Sequence, residues 1–537
     1  MNNKSKSDGR SLTVRGLIIG SIGSVIITMS SMFIALKMSS LPWPIIFVAL
    51  ASMFSLKALG NTNLHEINVT HTAMSAGAMV SGGLAFTIPG MWVAADHQEL
   101  NIPVLLAISL GGTVLGLIFT AMIRKYFIET KDLNYPMGQA AADTLVAGDE
   151  GGTKAKILFG SMGVVAVYTV LRDWFQKIPA VWFSKRMGAY GSSAGLYFSP
   201  MLIGIGYILG PVMIGVWFIG ALIGDVGILL IGQKSGLLDL VTATNIKASL
   251  GIGLMVGSGI GILIKGILPN LKEIIKGSLS KDGNDELVVG VRPMAVIAVI
   301  IAVIFSTVCH LGPIASIITI LGAWLATSMS AECVGQTGVN PMEIFGILVL
   351  LLVRAITSLG GQEMFYVAAI VAVAAGLVGD VMNDFKAGHI LGTNHRDMWI
   401  SEAVGGILGA VAAVFTLVII YKGYGAGAIG GEQFPAAQAM AVASMVNGIS
   451  HIPAFVIGVI AAVVLYLLNF PVMTLGLGVY LPMYMSCTAF LGGALRFVLD
   501  KVKPGSDGTG NIIASGCLGG EAIIGVIISI ILAIQAI

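Results

Sequence analysis

The sequence predicts an all-α polytopic membrane protein of about 14 to 16 transmembrane helices in two homologous halves. The first observation is composition: 56% of the 537 residues are hydrophobic, 10% are charged, and the mean hydropathy is +0.93. A soluble chain carries roughly 25% charged residues, so this chain suits a lipid bilayer. The second observation is a series of apolar windows without sustained alternation, which favours helices over strands. The third is a set of short phrases that occur twice in the same order.

The first element is a polar, basic tail, residues 1–13, followed by an apolar run long enough to span a bilayer. No small-x-small cleavage site ends that run. It is interpreted as a first span with a cytoplasmic N-terminus, and not as a removed signal peptide. The candidate windows include 14–36, 40–60, 101–123, 153–175, 211–232, 291–309, 313–331, 399–421, 453–468 and 517–537.

Five paired phrases divide the chain into a first repeat, 14–270, and a second repeat, 290–537. The separation between partners grows between the second and third pairs, where the second half holds a polar insert, 379–398, without an evident counterpart. The pairs begin at Val14 and Val291, Asn63 and Asn340, Tyr135 and Phe434, Gly204 and Gly476, and Asn245 and Asn511.

A charged linker, residues 271–289, joins the two repeats. Its lysines place it on the cytoplasmic side with the N-terminus. This favours an even number of spans in each half and parallel repeats, whereas an odd number would make the repeats inverted. Internal duplication is common among secondary transporters, whose substrates bind between the halves.

Carboxylates inside apolar segments are costly in a membrane, and they are the candidates for proton coupling. Glu66 and Glu343 each follow the Asn of a repeated phrase. The alternative is that both complement the dipole of a helix N-terminus. Glu521 in the last span and Asp143 in the first repeat complete the proton-coupling candidates.

Arg354 lies in an apolar stretch eleven residues after Glu343, on the same helix face. A guanidinium can hold a substrate carboxylate through two hydrogen bonds. It could also pair with Glu343, or extend to the membrane interface. Arg354 is therefore a substrate-binding candidate with two structural alternatives.

Two short segments, "YPMGQAAADTL" and "FPAAQAMAVASM", are too short and too polar for ordinary spans. They are interpreted as re-entrant or discontinuous helices, with surface amphipathic turns as the alternative. Pro136 and Pro435 are helix-break candidates there. The substrate-binding candidates, besides Arg354, are Tyr135, Gln139, Gln438, Asn245 and Asn511; the two asparagines could instead cap helices.

Glycines recur in the paired phrases "FSPMLIGIGYILGP" and "FPVMTLGLGVYLP". Glycine is a poor helix former, but it lets membrane helices approach closely. Gly204, Gly206, Gly476 and Gly478 are therefore candidates for helix breaks or close packing.

The sequence lacks the patterns of several other functions. Its four Cys are isolated, and its His residues have no metal-ligand spacing, so we expect neither a disulfide framework nor an intrinsic metal site. No phosphate loop, nucleophile elbow or HExxH motif is present. We expect no cofactor, no enzymatic activity and no nucleic-acid partner. An ion channel or a membrane enzyme remains a distant alternative.

Four segments together carry a resemblance to a known family. In the polar insert, Asp380, Asp384 and Lys386 stand in "GDVMNDFKAGHILGTNHRDM", with Arg396 in the basic loop that follows. The other segments are "LNYPMGQAAADTL", "NVTHTAMSAGAMVSGG" and "NIIASGCLGGEA". They resemble the oligopeptide transporter (OPT) superfamily, its prokaryotic members in particular, which is related to the yellow stripe-like metal-chelate carriers. His71 and Asn383 stand where the family pattern has Gln.

The resemblance implies about 16 spans and proton-coupled uptake, either of short peptides or of amino-acid-derived metal chelates such as iron–siderophore or nicotianamine-like complexes. It implies a plasma (inner) membrane location with lipid as the surrounding partner, and it leaves a homodimer open. The insert residues Asp380, Asp384, Lys386 and Arg396 are interpreted as a salt-bridged gate or anchoring loop, in which the two cations neutralise the two aspartates. The alternative is a solvated cytoplasmic loop.

Overall fold

The structure, a computed structural model, describes residues 10–38, 45–94, 100–150, 152–269, 291–431, 434, 436–446, 448–503 and 507–536. The predicted linker 271–289, most of the predicted tail 1–13, and Pro435 lie outside the described residues.

Helices make up most of the described chain, because a segment in lipid must satisfy its backbone hydrogen bonds internally. In the first predicted repeat they are α1 (Val14–Met38), α2 (Ile45–Leu59), α3 (Leu64–Ala85), α4 (Gly90–Ala94), α5 (Ile102–Lys125), α6 (Pro136–Glu150), α7 (Gly152–Thr169), α8 (Lys185–Gly188), α9 (Pro200–Ala221), α10 (Gly232–Lys234) and α11 (Leu240–Gly261). Tyr126–Thr130, Val170–Trp174, Leu222–Ile231 and Ile262–Ile267 are π-helical.

In the second predicted repeat the helices are α12 (Val291–Thr307), α13 (Gly312–Thr337), α14 (Met342–Ile356), α15 (Gln362–Leu391), α16 (His395–Tyr424), α17 (Ala437–Val446), α18 (Ile452–Leu467), α19 (Val472–Tyr480), α20 (Met483–Val502) and α21 (Asp507–Ala536). A 3₁₀ turn covers Ala426–Ala428. One antiparallel hairpin pairs β1 (Val181–Phe183) with β2 (Gly195–Tyr197), with Val181 opposite Tyr197.

Eight helices of the described chain are long and apolar enough to cross a membrane. Three shorter apolar helices cover Ile45–Leu59, Pro293–Thr307 and Ile452–Leu467. The chain is therefore a helical membrane protein. The larger count of 14 to 16 spans stays a prediction.

Helix α15 lies at the centre of the molecule. Every residue from Met364 to Gly388 is buried, as expected for a helix that is apolar all round. Helices α3 and α5 of the first repeat and α13 and α14 of the second pack around it. The predicted insert, 379–398, is thus the end of α15, a tight turn and the start of α16, and not a solvated loop.

Glycines bring the backbones of the two repeats into direct contact. A Cβ atom at Gly206 on α9 would overlap the carbonyl oxygen of Ala489 on α20, and one at Gly478 on α19 would overlap that of Trp217 on α9. Gly478 and Ala489 stand 272 residues after Gly206 and Trp217, respectively. The second contact is therefore the first with the repeats exchanged, which is what an internal duplication would produce.

A second reciprocal pair obeys the same exchange. Gly492 meets the carbonyl oxygen of Ile203, and Gly220 meets that of Leu475, again with equivalent residues 272 apart. Each of the four glycines occupies a position that a larger residue could enter only by moving backbone. The predicted role of such glycines in close helix packing therefore has a physical basis here.

The equivalent residues Phe218 and Phe490 contact each other, with stacked rings whose centroids are 4.5 Å apart. A pseudo-two-fold axis therefore passes between them. Along α9 and α20 the contacting residue numbers rise on one helix as they fall on the other, so the two helices are antiparallel. This antiparallel packing fits inverted repeats better than the parallel repeats that the linker lysines favour, and the number of spans in each half stays a prediction.

Both repeats interrupt the equivalent helix at a proline. In α9 the break is at Gly210, with φ 82° and ψ 171°, followed by Pro211. In the second repeat, extended Leu481 and Pro482 separate α19 from α20. Proline cannot donate the hydrogen bond that would continue the helix. The breaks thus lie a few residues beyond Gly206 and Gly478, and the sequence-predicted glycines serve as contact points.

Gly206→Ala should destabilise the protein by about 1–3 kcal/mol, because the added methyl group meets backbone that cannot move freely. Gly215→Ala on the same helix is the matched control, since a Cβ there meets nothing within 4 Å, and the change should be neutral or slightly stabilising. Thermal unfolding in detergent measures both. Equal melting temperatures for the two variants would contradict the packing role.

Candidate functional site

A cavity of about 470 Å³ opens at the helix break of α9. It lies between the repeats, since α6 and α9 line one side and α20 and α21 the other. Residues 208–212, around the break, form one wall. The polar lining residues are Asn134, Gln139, Arg496, Asp500 and Asn511.

Arg496 satisfies the backbone groups that the break leaves open. Pro211 has no N–H for the carbonyl of Tyr207, four residues earlier. The Nη1 group of Arg496 donates to this carbonyl at 3.1 Å and to that of Ile208 at 2.9 Å. Its Nε lies 3.8 Å from a carboxylate oxygen of Asp500. A cation and an anion therefore lie side by side at the cavity.

The amide side chains of the cavity differ in their engagement. Gln139 donates to Asp143 at 3.2 Å, and Ser515 reaches the other carboxylate oxygen of Asp143 at 3.4 Å. The Oδ1 atom of Asn511 is buried without a hydrogen-bond partner among the described residues. Asn511 can thus accept a hydrogen bond from a molecule in the cavity.

The second helix break is closed by polar contacts. Ser193 accepts the backbone N–H of Met483 at 2.7 Å, just after Pro482. The backbone N–H of Ser193 in turn donates to Asp225 at 2.8 Å, and Asp225 pairs with Lys247. The two breaks are therefore filled differently: Arg496 and the cavity described above lie at the first, and Ser193 with Asp225 lies at the second.

Three carboxyl groups form a second candidate site, the carboxyl cluster, within the centre of the molecule. Asp380 and Asp384 come from α15 and Glu402 from α16. One oxygen from each lies within 4.8 Å of the others, and all three side chains are fully buried. Asp384 and Glu402 each stand about two helical turns, or roughly 12 Å, from the turn between α15 and α16. The cluster therefore lies within the length of two helices that are long and apolar enough to cross a membrane.

Hydrogen-bond donors reach only one member of the carboxyl cluster. Ser75 donates to one oxygen of Asp384 at 2.8 Å, and His71 Nε2 lies 3.1 Å from the other. The four carboxyl oxygens of Asp380 and Glu402 are buried without a partner of hydrogen-bond geometry in the described chain. Both family departures have clear contacts, since Asn383 accepts a hydrogen bond from the backbone N–H of Gly138 at 3.1 Å while His71 contacts Asp384.

Glu66 is tied down at a helix N-terminus. Arg15 binds both of its oxygens at 2.7 Å, and Thr13 and Thr62 donate to it at the same distance. Asn63 caps the same helix. These contacts favour the structural alternative for Glu66, because the carboxylate already has a full set of donors.

Glu343 and Arg354 are not brought together. Glu343 is buried in the first turn of α14, where it accepts a hydrogen bond from its own backbone amide. Arg354 is eleven residues, roughly 16 Å, further along the helix. It is exposed and donates to the backbone carbonyl of Val446. Arg354 therefore does not pair with Glu343, and it does not line the cavity at the α9 break.

Glu521 belongs to a buried network that joins α21 to the first repeat. Arg172 lies 2.9 Å from it, Ser199 donates to it at 2.8 Å, and the backbone N–H of Met201 donates at 2.8 Å. Arg172 also contacts Asp173. The carboxylate is matched by a cation and by the start of α9, so its geometry is that of a structural anchor.

The remaining predicted residues take supporting positions. Tyr135 is fully buried and donates to the carbonyl of Ala331 at 2.9 Å, while Pro136 begins α6. Gln438 is half-buried on α17 and Asn245 is half-buried on α11, away from the cavity lining. Of the predicted substrate contacts, the cavity therefore unites Gln139 and Asn511.

Lys386 and Arg396 do not neutralise the aspartates as the sequence predicts. Lys386 donates to Asp132 at 2.7 Å, and this contact lowers the pKa of the Asp132 carboxyl from its usual value. Arg396 is exposed at the start of α16. Lys386 is thus bound to a neighbouring loop and Arg396 faces solvent, while Asp380 and Asp384 are buried inside the bundle.

Sequence reasoning missed Glu402, Arg496 and Asp500. Glu402 is a lone carboxylate in the apolar run "WISEAVGGILG", which is the signal that could have found it. Arg496 belongs to the second repeat, 14 residues after Pro482. It reaches the break at Gly210 in the first repeat only because the two helices pack against each other in antiparallel directions. That contact is invisible in either repeat alone.

Comparisons with known proteins agree over both repeats. The family model described as "OPT oligopeptide transporter protein" matches residues 11–267 and 285–532. A Haemophilus influenzae protein named "Putative oligopeptide transporter" is 24% identical, over 94% of this chain and 92% of its own. The "Probable metal-nicotianamine transporter YSL11" of Oryza sativa subsp. japonica is 24% identical, over 95% and 86%. The "Metal-nicotianamine transporter YSL2" of Arabidopsis thaliana is 34% identical, over 24% and 21%.

Arg172→Met should destabilise the fold by about 3–5 kcal/mol, because it leaves Glu521 buried without its cation. The double change Arg172→Met/Glu521→Gln should recover part of that loss. Arg396→Met is the control, since Arg396 is exposed. Chemical or thermal unfolding in detergent measures the stability of the three variants and the wild type. A double variant as unstable as Arg172→Met alone would contradict the pairing of Arg172 with Glu521.

Proposed function

The chain belongs to the OPT oligopeptide transporter family, and from this premise we propose that it takes up short oligopeptides together with protons. The family is one of transporters, and the chain is a membrane transporter and not an enzyme. We propose the oligopeptide substrate and the proton as coupling ion.

The cavity at the α9 break is the observation that supports a peptide substrate. Its volume of about 470 Å³ falls within the roughly 300–1,000 Å³ range of small-molecule sites. A short peptide carries a carboxylate, an ammonium group and backbone amides. Arg496 and Asp500 offer the complementary charges, and Gln139 and Asn511 offer amide contacts.

The position of the cavity suits alternating access. It is lined by a broken helix of one repeat and by helices of the other, as binding sites are in inverted-repeat transporters. Antiparallel repeats can exchange conformations, so that each in turn opens the site to one side of the membrane. The two repeats differ in this way: polar contacts fill the break at Pro482, whereas the break at Gly210 opens to the cavity.

A location in the plasma (inner) membrane with a cytoplasmic N-terminus fits the distribution of basic residues. Ser11 bonds Asp397, which places the N-terminal segment beside the start of α16. Arg124 lies over the Phe385 ring at 5.9 Å, at the same end of the bundle. Arg15 and Arg396 also gather there, and basic residues favour the cytoplasmic face.

A metal chelate is the second candidate substrate. Relatives named as metal-nicotianamine transporters align over most of this chain. A chelate built from amino-acid-like units carries carboxylates that Arg496 could also hold. Uptake of a labelled tripeptide into proteoliposomes, with an iron–nicotianamine complex as competitor, separates the two. No uptake of either substrate would overturn the proposal.

Asn511→Ala should raise the KM for peptide about tenfold, because the loss of one or two hydrogen bonds costs about 1.4 kcal/mol. Asn245→Ala is the matched control, since it is the equivalent Asn of the other repeat and does not line the cavity. Initial uptake rates in proteoliposomes with an inward proton gradient measure both. An unchanged KM for Asn511→Ala would exclude this cavity as the peptide site.

A further inference from the structure

The carboxyl cluster holds more negative charge than its surroundings can balance. If Asp380, Asp384 and Glu402 were all ionised, three anions would lie within 4.8 Å in a region without solvent contact. His71 Nε2 lies at contact distance from Asp384, and an imidazole that carried a second proton would offset one of these charges. Like charges at such distances disfavour each other's ionisation.

The charged groups of the neighbouring helices are engaged elsewhere. On α5, Arg124 binds Glu129; on α13, Glu332 binds Lys131. Lys386, on the same helix as the aspartates, binds Asp132. Arg15 pairs with Glu66, Asp143 contacts Gln139 and Ser515, Glu343 lies at its helix start, and Asp397 contacts Ser11. His395, at the start of α16, is a neighbouring titratable group whose Nε2 has no hydrogen-bond partner among the described residues.

The distribution of donors separates the three carboxyl groups. Asp384 receives both nearby donors, Ser75 and His71, as an anion requires. Asp380 and Glu402 are fully buried, and among the described residues none of their oxygens has a partner within hydrogen-bond geometry. Ser75 also lies beside Asp380, and Glu402 lies beside Asp384. A protonated carboxyl group supplies its own O–H donor, and its neighbours in the cluster are acceptors. Protonation therefore satisfies these otherwise unpartnered groups.

A line of polar side chains continues from the cluster toward the α15–α16 turn. His71, Asn68 and His65 follow at three-residue spacing along α3, so each is a surface neighbour of the next. Asn68 donates to Thr393 at 3.0 Å, and His65 Nδ1 lies 3.1 Å from the same hydroxyl. His71 Nδ1 and Asn68 Oδ1 are both buried and without partners among the described residues. A water between them would complete the line.

We propose that Asp380 and Glu402 hold two exchangeable protons as neutral acids beside the anionic Asp384, and that these protons enter and leave along the His71–Asn68–His65 line. On release, an O–H bond of the acid breaks, the carboxylate keeps the electron pair, and the proton passes to water at the turn. On loading, the reverse occurs. The role in coupling rests on the proposed function, whereas the protonation does not.

Infrared spectroscopy of the wild-type protein tests the protonation without any substrate. Buried carboxylic acids should give carbonyl bands that shift in D₂O, and Asp380→Asn and Glu402→Gln should each remove one band. Glu343→Gln, a buried carboxyl outside the cluster, is the control and should leave both bands in place. Wild-type spectra in which neither band exists would overturn the inference even if the variants fail to fold.

Transport assays test the coupling. Asp380→Asn and Glu402→Gln should retain peptide exchange at equal pH and lose at least tenfold in accumulation driven by a proton gradient. Glu363→Gln, at the far end of the helix that carries the two aspartates, should keep both. Full gradient-driven accumulation in both cluster variants would overturn the coupling role. If the wild type transports no peptide or chelate but shows the bands, the proposed function fails and the protonation stands.

Two further measurements complete the test. Asn68→Leu should slow the D₂O shift of the bands at least several-fold without removing them, and an unchanged rate would exclude the line. Elemental analysis of purified protein addresses a metal. A stoichiometric divalent ion that is absent from Asp384→Asn protein would replace the proton assignment with a metal site.

Discussion

The backbone contact between the two antiparallel broken helices is the constraint on which the architecture depends. Gly206 against Ala489 and Gly478 against Trp217 bring α9 to the helices of the second repeat with no side chain between them. That approach places Arg496 within reach of the carbonyls that Pro211 leaves open. Larger residues at the glycines would separate the helices, and the polar cavity would lose the wall that carries its charge.

A second constraint is that a buried ion in a low-dielectric interior needs an oppositely charged partner. Glu66 has Arg15, Glu521 has Arg172, and Asp225 has Lys247. Two departures from that regularity are informative. The carboxyl cluster has more acids than donors, and Asn511 has an acceptor without a donor. Both departures lie where helices of the two repeats meet.

The repeated phrases predicted much of the fold, because hydropathy and duplication are local properties of a sequence. They located the broken helix, Gln139 and Asn511. Charge in apolar segments was a poorer guide: Glu66 and Glu521 are paired, and Arg354 is at the surface. A lone sequence position does not reveal its partner across the bundle. Arg496 and Glu402 acquire their roles only through contacts that depend on how the repeats pack.

The stack of Phe218 on Phe490 joins a residue to its own counterpart. Such a contact is isologous, the kind found at the interface of a symmetric homodimer. One half-length sequence is enough to specify it, provided that two copies insert in opposite orientations. The glycine contacts on either side obey the same symmetry. The seam between the repeats can therefore be described as a subunit interface that has been enclosed within a single polypeptide.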